Sequence, residues 1–553
     1  MTGRGVVARS KQPGEPRLPE RPWVVGGRDV RDRRDACGCA DVDRPLISRT
    51  ILPMFIALAA GCASLPPTPD KPLSTAFDRP ESTAVGAVVA AAAAEHPGTS
   101  GFGLLASGRG AFTARVALTE LAERSLDLQY YIWESDTTGR ELTERVIRAA
   151  DRGVRVRLLV DDNNLAGRDP IAAALDAHPN IEVRIFNPFA NRGAHGIDFA
   201  VDFSRVNRRV HNKIIVADSA VAVVGGRNIG DDYFGLSPEA NFRDLDVTAA
   251  GPIVSEIAAG FDGFWNSDWA YPVTSLIDHP ATAADLEARR AAIRNHLQED
   301  PYPYPLDDDL AALRARLDEI VSEMVWAPGE VVADDPNALT SDQRGHVAVV
   351  LEQQMAATGR EILVESAYFV QRKAGVETAR SICNRGVRIR VLTNSLASND
   401  VAPAHAGYEK NRKKLLDAGV ELYELRPDAA TVIRQLAPEA AGSITALHTK
   451  AVVFDRERVF IGSFNLDPRS ADLNTEVGLL IESAELAAEV AAFMNEGVAP
   501  DSSYHVTVGQ DGDLVWITEG EGGERRWNHE PATSGWERFV ADVVKLFPIQ
   551  SQL

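Results

Sequence analysis

Two short stretches place an imidazole, an ammonium and a carboxylate at the same spacing: His211-Asn212-Lys213 followed by Asp218, and His448-Thr449-Lys450 followed by Asp455. In both, an asparagine comes 17 residues after the histidine, Asn228 closing Gly225-Gly226-Arg227-Asn228 and Asn465 closing Gly462-Ser463-Phe464-Asn465. Side chains two apart on a strand share a face, so each motif presents its imidazole and ammonium together at the start of an apolar run. This inventory suits attack on a phosphodiester. Lysines and asparagine amides are fixed donors for the anionic oxygens. One neutral imidazole can attack phosphorus while the other, protonated, delivers a proton to the departing alkoxide. The chemistry needs no metal and no cofactor.

An imidazole used in this way needs an acceptor on its far nitrogen to fix the tautomer. Downstream of each motif stands a carboxylate in matched surroundings, Asp246 in Leu245-Asp246-Val247 and Glu476 in Thr475-Glu476-Val477, and these are the candidates for that role. Asp218 and Asp455 fall at turns and read as structural. His195, His405 and His505 lack the paired spacing of metal ligands. Tyr130, Tyr131, Tyr368 and Phe369 sit at strand ends, where aromatic residues more often fill a core than line a pocket.

The elements that must position these residues come in two copies. Asp151-Arg152-Gly153-Val154-Arg155-Val156-Arg157-Leu158 recurs as Asn384-Arg385-Gly386-Val387-Arg388-Ile389-Arg390-Val391, an offset of 233. Each copy follows a helical stretch and an earlier strand, Leu126–Ile132 or Ile362–Val370. A repeated strand–helix–strand order means an α/β layer fold. The expected division is a leader over 1–61, a tether over 62–100, a first half over 101–280, a helical connector over 281–335, a second half over 336–499 and a hairpin-and-helix tail over 500–553.

Over about residues 100 to 495 these motifs resemble the phospholipase D superfamily, whose members carry two His-x-Lys-x4-Asp motifs followed by Gly-Gly/Ser-x-Asn. Asn207–Lys213 and Gly462-Ser463-Phe464-Asn465-Leu466-Asp467-Pro468-Arg469-Ser470 are most similar to bacterial cardiolipin synthases. The tail with Trp527 and Trp536 resembles the cardiolipin synthase C branch. The resemblance implies two similar α/β/α halves related by pseudo-twofold symmetry around one shared site. It also implies a phosphohistidine intermediate, with His211 as nucleophile and His448 as proton donor. The implied reaction is phosphatidyl transfer to phosphatidylglycerol, with phosphatidylethanolamine a candidate donor. Hydrolysis to phosphatidic acid and nuclease action are the alternatives open to the same residues.

Composition narrows these choices. Lys+Arg number 58 against 79 Asp+Glu, a formal charge of −21, which opposes a broad basic face for nucleic acid. Four cysteines are too few for a disulfide framework. Residues 1–49 hold eleven Arg/Lys and no apolar period. Ile51–Ala60 then forms a short apolar run that leads through Leu58-Ala59-Ala60-Gly61 to Cys62. That layout is an export signal, and its last residues resemble a lipobox with Cys62 as the acylated anchor. The implied place is the bacterial cell envelope, at a membrane surface; a start codon placed too early would account for the stretch before the signal.

Overall fold

A computed structural model describes residues 65–67, 69–165, 167–306, 309–337, 344–520 and 523–544. The leader 1–61 and the lipobox Cys62 lie outside the described residues.

The first sheet contains β1 (Ser100–Leu105), β2 (Ser125–Tyr130), β3 (Arg155–Asp161), β4 (Ile181–Phe186), β5 (Ile214–Ala217) and β6 (Val221–Gly225). Outside it lies β7 (Ala240–Arg243), and β8 (Asp246–Ala250), β9 (Ala270–Pro272) and β10 (Val325–Ala327) complete it in the order β10-β1-β8-β6-β5-β2-β3-β4-β9. The second sheet contains β11 (Gly329–Ala333), β12 (Glu361–Ser366), β13 (Arg388–Asn394) and β14 (Glu421–Leu425). After the separate β15 (Ile444–Leu447) it adds β16 (Lys450–Phe454), β17 (Arg458–Gly462), β18 (Val477–Glu482), β19 (Ser503–Val508), β20 (Leu514–Gly520) and β21 (Gly523–Trp527). Its order is β11-β18-β17-β16-β12-β13-β14-β19-β20-β21.

The two sheets correspond strand for strand. β2, β3 and β4 run parallel, as do β12, β13 and β14. The hairpin that follows each His-x-Lys motif pairs antiparallel to the first of them. Helices Thr137–Asp151 and Lys373–Asn384 make the crossovers that parallel neighbours require. Each crossover turns back through a glycine at positive φ, Gly153 or Gly386, a conformation that favours a residue without Cβ. This is the repeat read from the sequence at an offset of 233.

The end of the 281–335 segment departs from the helical expectation. After helices Ala283–Glu299, Leu310–Ala315 and Leu317–Ser322 it supplies an edge strand to each sheet, β10 beside β1 and β11 beside β18. Val325-Trp326-Ala327 and Glu330-Val331-Val332 carry the β-branched and aromatic residues that fit a pleated surface.

The sheets share one buried core, built from Ile214, Val216 and Val224 of the first and Val453, Ile461 and Leu479 of the second. The faces of both sheets are covered, which is why the strands are apolar runs with little alternation. Asp218 and Asp455 stand at the hairpin turns, with φ of 54° and 55°. Asp218 accepts hydrogen bonds from the backbone of Glu123, Arg124 and Ser125 at 2.9, 2.7 and 2.8 Å. Asp455 accepts them from Gly359, Arg360 and Glu361 at 2.9, 2.6 and 3.0 Å. Each turn is thereby locked to the start of the neighbouring strand.

Candidate functional site

Two reciprocal contacts close the halves around the motifs. His211 N–H donates to the Thr475 carbonyl at 2.9 Å, and His448 N–H donates to the Arg243 carbonyl at 2.8 Å. Val210 forms a parallel bridge with Thr475, while β15 runs parallel to β7 with Leu447 opposite Arg243. Each histidine is thus pinned by its backbone to the other half, in the self-complementary manner of a twofold interface.

The side chains repeat the crossing. His211 Nδ1 lies 2.9 Å from Glu476 Oε2 and 3.1 Å from the Ser463 carbonyl. His448 Nδ1 lies 2.6 Å from Asp244 Oδ2. The carboxylate on His448 is therefore Asp244, and the expectation that Asp246 holds a histidine is corrected. Asp246 pairs instead with Arg115 Nη2 at 2.9 Å and Arg227 Nη1 at 3.3 Å, and accepts the Arg227 N–H at 3.1 Å. The register explains the displacement: Gly225 faces Asp246 across β6 and β8, as Gly462 faces Gly478 across β17 and β18. The residue two before the glycine's partner is Asp244 in one half and Glu476 in the other.

The residues behind the two carboxylates differ to match their lengths. A Cβ on Gly226 would come within 2.1 Å of Asp244 Oδ1, so the short aspartate occupies that space. In the second half the equivalent position is Ser463, whose hydroxyl donates to Glu476 Oε2 at 2.5 Å. The Nδ1 partners leave each Nε2 as the atom available for chemistry, and among the described residues neither Nε2 is hydrogen-bonded within the protein.

Burial sets the charges. Both histidines are pushed well below the usual imidazole value by burial, then by the ammonium groups of Lys213 and Lys450. Lys450 falls to about 8 through burial, opposed by Asp244 and Glu476, and Lys213 falls well below its ordinary value. Glu476 rises to about 7, and Asp244 is also raised, both chiefly by desolvation. Such displaced titrations are characteristic of reacting sites. Each lysine donates to the carbonyl of its own histidine, Lys213 to His211 and Lys450 to His448, which leaves ammonium protons for an anion.

The asparagines are held unequally. Asn228 Nδ2 donates to the Tyr233 hydroxyl at 2.9 Å and its Oδ1 accepts the Ile132 N–H at 3.2 Å. Asn465 Oδ1 is buried without a partner among the described residues, so this amide is not committed to a protein group at its oxygen. The aromatic residues divide by strand alternation. Tyr130 and Phe369 are core, whereas Tyr131 stands edge-on to His211 at 5.1 Å and the half-buried Tyr368 donates to Asp400 at 3.0 Å. Tyr233 takes the corresponding edge-on position against His448, also at 5.1 Å.

The chain was compared with known proteins. Residues 117–265 and 351–497 match the family described as "Cardiolipin synthase, PLD-like domain". The chain belongs to that family. It is 40% identical to cardiolipin synthase C of Escherichia coli (strain K12), over 82% of this chain and 97% of that protein. A cardiolipin synthase of Staphylococcus aureus (strain Mu50) is 23% identical over 67% of this chain and 62% of its own length. Among solved structures, the fold is similar to phosphatidylserine synthase from Haemophilus influenzae Rd KW20, with a TM-score of 0.52 and 15% identity over 84% of this chain and all of that one.

For this member of the cardiolipin synthase family, sequence spacing missed Asp244, Ser463 and Tyr233. It also missed the cross-half strap in which Arg469 donates to Asn207 Oδ1 at 2.8 Å and to the Asn207 carbonyl at 2.7 Å. Arg469 lies inside the extended motif, which was the available signal. Of the histidines set aside, His195 stacks on Phe189, His505 stacks on Tyr423, and His405 is buried 3.3 Å from Glu530. Glu530 is already paired with Arg412 at 2.7 Å.

Proposed function

We propose that the protein is a phosphatidyltransferase that forms cardiolipin from two phospholipids through a phosphohistidine. The observation that carries this reading is the pair of buried imidazoles, each oriented by a carboxylate of the opposite half with its Nε2 unbonded. The membership of the cardiolipin synthase family selects the substrates.

The roles follow from the chemistry. His211, neutral, attacks phosphorus through Nε2, and the bond to the departing headgroup oxygen breaks. His448, which enters this step as the imidazolium paired with Asp244, gives that oxygen its Nε2 proton and becomes neutral. In the second step the hydroxyl of phosphatidylglycerol gives its proton to His448, its oxygen attacks phosphorus, and the nitrogen–phosphorus bond breaks. Glu476 and Asp244 hold the rings with Nδ1 as the hydrogen-bonded nitrogen, while Lys213, Lys450 and Asn465 bind the phosphate oxygens. Fixed donors in a buried site stabilise the charge that builds there without first reorganising.

The same reading places the enzyme at a lipid surface, anchored through Cys62 in the bacterial cell envelope. Ile197, Phe199, Val201 and Phe203 are exposed apolar residues in the segment that precedes His211, which supports contact of this face with acyl chains. No helix among the described residues is long and apolar enough to cross a membrane.

The test is purified protein on vesicles of labelled phosphatidylglycerol, with and without phosphatidylethanolamine, and on DNA. Cardiolipin is the expected product. Release of glycerol marks phosphatidylglycerol as the donor, and release of ethanolamine marks phosphatidylethanolamine. Phosphatidic acid without cardiolipin, or cleaved DNA without a lipid product, overturns the proposal.

A further inference from the structure

The second half contains a cavity of about 260 Å³ between helices His346–Ala357 and Lys373–Asn384 and the outer face of β12 and β13. Its buried walls are apolar, among them Ala348, Leu351, Ile362, Val364 and Phe369, while the exposed lining residues Arg344, Glu352 and Arg372 are charged. Phe464 and Leu466 line it as well, flanking Asn465, and Asp467 follows in the same wall. The segment that bears Asn465 is therefore itself part of the cavity wall.

At the matched positions the first half carries larger side chains. Asp218 fixes Ser125 as Asp455 fixes Glu361, an offset of 236 that superimposes the preceding helices. Under that offset Phe112 and Arg115, both fully buried, stand where the second half has Ala348 and Leu351. Trp133, bridged to Ile229, stands where Phe369 is bridged to Leu466. The void thus arises from smaller side chains at matched positions in one half. A void in a close-packed interior lowers stability in proportion to its volume.

We infer that this cavity receives a fatty acyl chain of the phospholipid handled at the adjacent site. The inference rests on the functional reading above and adds where the lipid tail lies. Liquid water occupies about 30 Å³ per molecule, and a methylene group is of similar size, so the cavity matches about eight or nine carbons of a chain. The buried carboxylate in its wall, Asp467, already accepts the Ser470 N–H at 2.7 Å. A polar occupant gains little there, and an acyl chain requires no hydrogen bond.

The test uses the full chain and vesicles containing phosphatidylglycerol with a photoactivatable group midway along one acyl chain. Irradiation is expected to label residues 344–379 and 464–471, and Ala348→Phe, which restores the first-half residue, is expected to lose that label. The ratio of turnover on long-chain to dihexanoyl phosphatidylglycerol should fall at least about tenfold in the same variant, since each excluded methylene weakens binding. If Ala348→Phe fails to fold, wild-type labelling and Ala348→Val decide the matter. Labelling confined to other segments, or a chain-length ratio unchanged in a folded variant, overturns the inference. Failure of the functional reading shows differently, as wild-type protein that takes up the acyl probe in this cavity yet forms no transfer product.

Discussion

Exchanging the charge at Asp244, in the link between β7 and β8, and at Asp246, the first residue of β8, should separate chemistry from architecture. Asp246 is fully buried against Arg115, itself 1% exposed, and against Arg227. Asp246→Asn leaves those guanidinium groups without their counter-charge, and breaking a buried pair from one side costs about 3–5 kcal/mol. Asp244→Asn keeps the shape but turns an acceptor-only group on His448 Nδ1 into one that can also donate. The imidazole can then adopt the wrong tautomer, for which a loss of about 10²–10⁴-fold in kcat is expected. Urea unfolding followed by circular dichroism, beside initial rates of transfer on vesicles, reads both effects. Asp246→Asn should be destabilised, and Asp244→Asn should be folded and slow. Full turnover in Asp244→Asn, or wild-type stability with selectively lost turnover in Asp246→Asn, refutes the assignment.

His211→Ala and His448→Ala should each abolish transfer with an unchanged far-ultraviolet spectrum; activity retained in either contradicts the two-imidazole scheme. For pH, Lys450 lowered to about 8 keeps its ammonium below that value and loses it as pH rises through it. His448, the proton donor, is also lowered well below 6.5, so its loss of the proton already reduces kcat/KM before pH 8. Lys450 should add a further, separate fall above about pH 8, and no further fall between pH 8 and 10 contradicts a phosphate-binding role for Lys450. On the acid side the lowered His211 stays neutral below its usual 6.5, so the acid limb should lie beneath that value. Asp218→Ala orphans three backbone N–H groups at a buried turn, at about 1–3 kcal/mol for each group left dry, whereas the more exposed Asp455→Ala should cost less; thermal melts compare the two. Gly226→Ser should displace Asp244 and slow turnover, and a variant as fast as wild type means that Asp244 does not fill that space.

The repeat, the paired motifs and the α/β class were legible because they are periodic in the chain. A turn with a left-handed glycine, a His-x-Lys motif leading into a strand and a hairpin returning to Gly-x-x-Asn each have a local signature. The partner of His448 was not, for two reasons. Asp244 and Asp246 both fall, two apart, where the chain enters β8, so either fits a pattern of a carboxylate before the strand. The loops before them also differ in length: Asp244 follows its histidine by 33 residues and Glu476 follows His448 by 28, so simple alignment of the halves slips. Spacing likewise says which side chains share a face but not that each carboxylate serves the imidazole of the opposite half. The edge strands β10 and β11 were hidden inside a charged helical stretch because each is short and takes its hydrogen bonds from a sheet distant in sequence. Tyr131 and Tyr368 sit next to true core aromatics, and strand phase alone separated them.

Covalent capture of the phosphorus addresses the central claim most directly. Phosphatidylglycerol labelled at phosphorus, mixed with enzyme and quenched within one turnover at alkaline pH, should leave label on a single peptide containing His211, and His448→Ala should not move it to another residue. Cardiolipin formation at full rate with no label on either histidine contradicts the account.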